Sequence, residues 1–175
     1  QTSYTFTNVT ADHTIDATFT AASYTITSEI CSDANVAGGS FQVGDGGTIS
    51  PLGIQPVACG GSLTFTITPD PCFHIVDVRV DGLSVGTPTS YTFSNVQASH
   101  NICAKFAIDT YTITASAGPG GSINPAGPLN VNCGSDQAYT ITPDPCYMIS
   151  GVFVDGSPVG SGNDYTFTNV QANHT

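Results

Sequence analysis

Apolar and polar residues alternate with a period of two through most of this chain. Tyr4 and Phe6 alternate with Thr, Ile15, Ala17 and Phe19 with Asp and Thr, and Val76, Val78 and Val80 with Asp77 and Arg79. A two-residue period sends successive side chains to opposite faces of a strand, so these runs predict half-buried β-strands. No run of ten or more residues keeps the 3.6-residue apolar period of an amphipathic helix. Pro and Gly interrupt the chain every few residues, and β-branched and aromatic residues fill the intervals. The expected fold is all-β, built from small sandwich-like modules of about six or seven short strands each; a β-grasp-like module is the alternative.

The alternation is written twice. Phe-Thr-Ile-Thr-Pro-Asp-Pro-Cys-Phe at residues 65–73 returns as Tyr-Thr-Ile-Thr-Pro-Asp-Pro-Cys-Tyr at residues 139–147. Between residues 59–101 and 133–175, 24 of 43 positions are identical without a gap. Tyr-Thr-Ile-Thr opens both copies, at residues 24–27 and 111–114, an offset of 87 against 74 further on; the difference, 87 − 74 = 13, is a Gly-rich insertion in the first copy. Each copy contains Val-Asp-Gly followed by a short second arm, at Val80 and Val154, a hairpin signal because Asp and Gly tolerate the positive φ of tight turns. A period of this length marks tandem modules. Residues 24–109 read as a complete module and residues 111–175 as a second one lacking its last strand. Residues 1–20 read as the closing strands of a preceding or donated module. Two origins are open for these ends: a window from a longer tandem array, or strand donation between subunits joined head to tail.

Six cysteines fall at repeating positions and form no Cys-x-x-Cys pair, which predicts disulfides in an oxidising compartment. Cys59 and Cys72 are thirteen residues apart, as are Cys133 and Cys146, and each pair is most simply closed within its own module. Cys31 and Cys103 remain. Both fall on the strand face opposite the apolar positions, of Tyr24, Ile26 and Ile30 in one strand and Ile102, Ala104 and Phe106 in the other, so a bridge between neighbouring first and last strands fits.

Charge narrows the partners. The chain has 2 basic residues against 13 acidic ones, a net charge of −11. Phosphate binding needs clustered Lys and Arg, so nucleic acid is excluded as a partner and anionic membrane surfaces are disfavoured. No apolar run is long enough for membrane insertion.

No convergent set of catalytic groups is legible, and no enzyme activity, cofactor or metal site is expected. His13, His100 and His174 share one repeated position, but no further ligands recur with them, which points to a turn role. His74 is replaced by Met148 in the second copy. Asp70 and Asp144 could offer oxygen ligands to calcium, although Asp beside Pro more commonly bonds turn backbone. The glycines of residues 43–47 lack both the acidic ligands of a calcium loop and the strand-to-helix setting of a phosphate cradle. Asn8-Val9-Thr10 and Asn173-His174-Thr175 match the N-glycosylation sequon, which makes Asn8 and Asn173 candidate acceptors.

Tyr-Thr-Ile-Thr, Gly-Gly-Ser-Ile, Thr-Pro-Asp-Pro-Cys-Tyr, Val-Asp-Gly and Tyr-Thr-Phe-Thr-Asn-Val-x-Ala-x-His-Thr together resemble divergent internalin B-repeat modules of bacterial secreted and surface proteins. The resemblance covers nearly all of the chain. Where that family often has Gly after Pro-Asp-Pro, this chain has Cys72 and Cys146. The resemblance implies tandem arrays on large extracellular or cell-surface bacterial proteins, with no catalytic residues. The expected function is a structural repeat of an extracellular filament or stalk, its partners being copies of itself or adjacent modules. The alternative is an adhesin repeat that binds a surface glycan or host protein, with the insertion at residues 32–44 as its recognition loop.

Overall fold

The computed structural model describes residues 3–31 and 46–175. The insertion at residues 32–44, and with it the recognition surface expected there, lies outside the described residues, as do residues 43–45 of the Gly-rich segment. Among the described residues the chain is all-β, with no helix and several small sheets.

Among its described residues the first module holds eight strands: β1 (Ser23–Ile30), β2 (Gly47–Ser50), β3 (Gly53–Ala58), β4 (Leu63–Pro69), β5 (Phe73–Val80), β6 (Leu83–Ser84), β7 (Ser90–Phe93) and β8 (His100–Ile108). They form a five-stranded sheet in the order β3-β1-β8-β5-β6 and a three-stranded sheet in the order β2-β4-β7. The sheets face each other across one core. Ile26, Val57, Val78, Ile102 and Ala104 come from the first sheet, and Ile49, Phe65, Ile67 and Phe93 from the second. Among the described residues this is a sandwich and not a β-grasp, which would need a helix lying across one sheet.

The alternation decides which side chains enter that core. In β4, Phe65 and Ile67 are buried while Thr64, Thr66 and Thr68 face out. The Thr64 and Thr92 hydroxyls meet across the outer face at 2.8 Å, the paired Thr contact that suits an exposed sheet surface. The β5–β6 hairpin turns on Asp81 and Gly82, at φ of 51° and 81°, and pairs Val80 with Leu83. Positive φ at both central residues defines the turn whose twist matches the strands, which is why Asp-Gly stands there.

The second module repeats the plan with one strand fewer. Its strands are β9 (Thr110–Ala115), β10 (Gly121–Asn124), β11 (Gly127–Asn132), β12 (Gln137–Pro143), β13 (Val152–Val154), β14 (Ser157–Gly160) and β15 (Asp164–Phe167). The sheet β10-β12-β15 corresponds to β2-β4-β7. The other sheet is split into two pairs, β11-β9 and β13-β14. In the first module β8 lies between the corresponding pairs, parallel to β1 and antiparallel to β5. The buried core shrinks accordingly to Ile113, Val131, Tyr139 and Val170.

Residues 3–20 form no strand, and every one of them is exposed. They nevertheless hold local geometry seen in both modules. Tyr4 packs edge-on to Phe6 at 5.0 Å, and Phe6 stacks on His13 at 5.0 Å. Tyr91–Phe93–His100 and Tyr165–Phe167–His174 make the same ring contacts. Asn8, Asn95 and Asn169 all adopt left-handed backbone, at φ of 52°, 51° and 50°. This part of the repeat is therefore encoded locally, without help from a sheet.

Phe65 is fully buried between the two sheets of the first module. Phe65→Ala is expected to lower stability by about 3–5 kcal/mol through lost transfer energy and the cavity left behind, read as a shift in the urea unfolding midpoint.

Candidate assembly site

Two features carry the chemistry of this molecule: the junction between the modules and an open groove in the second. The junction is built on the Pro-Asp-Pro-Cys turn. The Phe73 N–H donates to Asp70 O at 3.0 Å, closing a four-residue turn with Pro71 and Cys72 at its centre. Cys72 has a φ of 68°. Glycine is the residue that normally serves this position of such a turn, since a Cβ is disfavoured there. The thiol therefore occupies a backbone position that costs about 1 kcal/mol to fill with anything but glycine, and its placement is informative. Cys146 repeats it with the same φ of 68°.

Cys72 is bonded to Cys133, the first cysteine of the following module, with Cα atoms 5.5 Å apart. Asp109 lies between them in the linker. Its N–H donates to Cys72 O at 2.8 Å, and its carbonyl accepts the Cys133 N–H at 2.8 Å. His74 Nδ1 sits 2.7 Å from Asp109 Oδ1. The bridge thus joins the end of one module to the start of the next.

This corrects the expected pairing of Cys59 with Cys72 and of Cys133 with Cys146. Cys59 and Cys72 bracket β4, an extended strand whose ends lie roughly 20 Å apart at about 3.3 Å per residue, while a disulfide needs Cα atoms within about 7 Å. β12 separates Cys133 from Cys146 in the same way. Cys59 and Cys146 are exposed free thiols. The Cys31–Cys103 bridge is present as expected, with Cα atoms 5.0 Å apart, on the outer face of β1 and β8.

The groove lies between β9 and β13, where the first module has β8. It encloses about 490 Å³ and is lined by Ile113, Ala115, Gly121, Ile149, Val152 and Phe153 among others. Its start is already marked. His174 bridges to Ile113 in parallel, matching the Ile26–His100 pairing in the first module. The Thr114 N–H donates to His174 O, and the Asp155 N–H to Thr175 O. Tyr139, only 2 % exposed, lines the groove with a buried hydroxyl that has no partner among the described residues. Burial pushes that hydroxyl's pKa up.

The repeated histidines hold the threshold of this strand. His174 Nδ1 is 2.8 Å from Asp155 Oδ2, and the Thr175 N–H donates to Asp155 Oδ1 at 2.8 Å. His100 and the Asn101 N–H bind Asp81 identically. The His174 contact and the Thr175 N–H hold the Asp155 carboxyl below the usual carboxylate range. Burial would raise the Asp81 carboxyl, but the Asn101 N–H and His100 outweigh it and leave it lowered. The third copy, His13, stacks on Phe6.

Other expected positions play smaller parts. Asn8 is exposed on residues 3–20. Asn173 is exposed, but its Oδ1 accepts the Thr112 N–H at 2.8 Å, as Ser99 Oγ accepts that of Thr25. Asp70 and Asp144 take part in their turns through backbone atoms. No group of three or more His, Cys, Asp or Glu positioned for a metal ion occurs among the described residues, and no helix there is long and apolar enough to cross a membrane. Comparison with protein-family models, curated proteins and solved structures found no match to this chain.

Peptide mapping without reductant is expected to recover Cys31–Cys103 and Cys72–Cys133 as linked peptides in the monomeric chain, with Cys59 and Cys146 alkylated. Acid should loosen the strand threshold. The folded Asp155 carboxyl is more acidic than a free one, so its contribution is complete above about pH 4 and is lost as pH falls through the folded value. Amide exchange at Asp155 and Thr175 is expected to accelerate below that point, and Asp155→Asn is expected to remove the acid dependence.

Proposed function

We propose that this chain is a structural repeat of an extracellular bacterial filament or surface stalk, with its modules joined head to tail. The observation that carries this reading is the Cys72–Cys133 bridge, which clamps one module to the next rather than closing either. A covalent link across a module boundary fixes the spacing and angle of successive modules, the property a fibre needs. The polar, Thr-rich outer faces and the net charge of −11 suit a surface that remains solvated and does not bundle.

The same chemistry supports an extracellular setting. Cytosolic thiol buffers keep such bridges reduced, whereas secreted and surface proteins retain them. The resemblance to internalin B-repeat modules points in the same direction and is the reason for naming bacteria.

Electron microscopy of the native assembly is expected to show long filaments with a repeat set by the modules. Compact particles of one or two modules would overturn the reading. Removing the Cys72–Cys133 bridge alone with Cys72→Gly, which suits the left-handed backbone there, is expected to leave both sandwiches folded while broadening the distribution of inter-module angles, read by small-angle scattering.

A further inference from the structure

The junction between the two modules supplies a template that can be applied to the free end of the second. We propose that residues 15–19 of a second copy of this chain enter the groove between β9 and β13, in the place that β8 holds in the first module, and that Cys59 of that copy then bonds to Cys146. The inference rests on the filament reading and specifies how its subunits join.

The register follows from β8. Ile102 lies opposite Ser28 and Val80, Ala104 opposite Ile30 and Val78, and Phe106 opposite Ile75. Residues 15–19 read Ile-Asp-Ala-Thr-Phe, with the same inward residues as Ile-Cys-Ala-Lys-Phe at 102–106. Carried into the second module, Ile15 falls opposite Ala115 and Val154, Ala17 opposite Ala117 and Val152, and Phe19 opposite Ile149. Ile102 and Ala104 are completely buried in the first module, whereas Ile15 is 67 % and Phe19 92 % exposed. Phe106 packs so closely on Gly47 that an added Cβ would lie 2.5 Å from its ring. At the corresponding Gly121 the atoms nearest such a Cβ are the Thr142 carbonyl and Pro143 Cα, with no aromatic carbon among them, which leaves a slot for Phe19. A buried Tyr139 hydroxyl without a partner lines the same groove.

Two substitutions are matched across the proposed contact. The first module has Cys31 facing Cys103. The second has Gly118 at the first position, and residues 15–19 have Asp16 at the other, so no thiol is stranded. The internal junction pairs His74 with Asp109. The equivalent positions are Met148 and Ala22, both apolar, and Met148 is 86 % exposed.

The receiving geometry already exists. The Cys59 N–H donates to Ala22 O at 2.9 Å, as the Cys133 N–H does to Asp109 O. Cys146 holds the left-handed backbone of Cys72. Both thiols are free and exposed. A small-molecule disulfide is the oxidant: one thiolate attacks it and expels one small thiol, and the second thiolate displaces the other. One protein S–S bond forms, the small disulfide is reduced to two thiols, and the two protons of the cysteines pass to them. Residues 3–14 of the incoming copy duplicate residues 164–175, which are already seated, and stay outside the groove.

The test uses the full chain. Wild type is expected to form concentration-dependent oligomers in sedimentation velocity. With glutathione disulfide it should give a covalent ladder whose dominant new cross-link is Cys59–Cys146. Phe19→Asp, which alters an exposed residue outside both modules, is expected to cut that yield at least tenfold. Cys146→Gly suits the backbone at that position and is expected to preserve reversible association while abolishing the ladder. A synthetic peptide of residues 13–22 is expected to compete. A monomer at every concentration, a ladder indifferent to Phe19→Asp, or a groove filled by the chain's own residues 15–19 would each overturn the inference. Native filaments seen alongside a monomeric chain would sink strand donation alone and leave the filament reading standing.

Discussion

Everything in this fold depends on one strand having partners on both sides. β8 pairs in parallel with β1 and antiparallel with β5, and its inward side chains fill the middle of the core. It is also the last strand of its module and runs through Asp109 directly into β9. The chain therefore leaves the first module from the hydrogen-bonded centre of a sheet and not from its edge. Neighbouring modules are coupled through the part of the structure that is hardest to open. Residues 110–175, which hold no counterpart of that strand, form two separate pairs of strands, a groove and a smaller core.

Covalent chemistry reinforces that arrangement. The bridges span 72 and 61 residues, and loops of that size each correspond to about 4 kcal/mol on a chain-entropy account. Sandwiches this small bury limited apolar surface, so such contributions rank with the core itself. One bridge ties first strand to last within a module. The other ties module to module, and it uses a turn position where glycine would sit more comfortably.

Much of this was legible in the residues. The two-residue period gave the strands and their inward faces, and Asp81-Gly82 gave the hairpin. The face argument for Cys31 and Cys103 succeeded because it compared directions on neighbouring strands. Pairing Cys59 with Cys72 rested instead on nearness in sequence. Nearness misleads when an extended strand lies between two residues, since it carries them to opposite ends of the sandwich. The intervening Leu-Thr-Phe-Thr-Ile-Thr-Pro, plainly a strand, held the signal that could have excluded that pair. The bond between Asp109 and both cysteines of the bridge had no sequence signature, because backbone groups make it. The role of His100 and His174 was readable only as a repeated turn position; their contacts with Asp81 and Asp155 join residues 19 apart and required the strand order.

The overlap of the two disulfide loops has a mechanical consequence. One loop runs from Cys31 to Cys103 and the other from Cys72 to Cys133, so residues 73–102 lie inside both. Tension applied at the ends of the chain passes through sulfur before it can draw out the intervening polypeptide. At about 3.5 Å per residue, the 61-residue loop alone withholds roughly 200 Å of extension. Under load this stretch behaves less like a thread that can unravel than like links of a chain, each caught in the next.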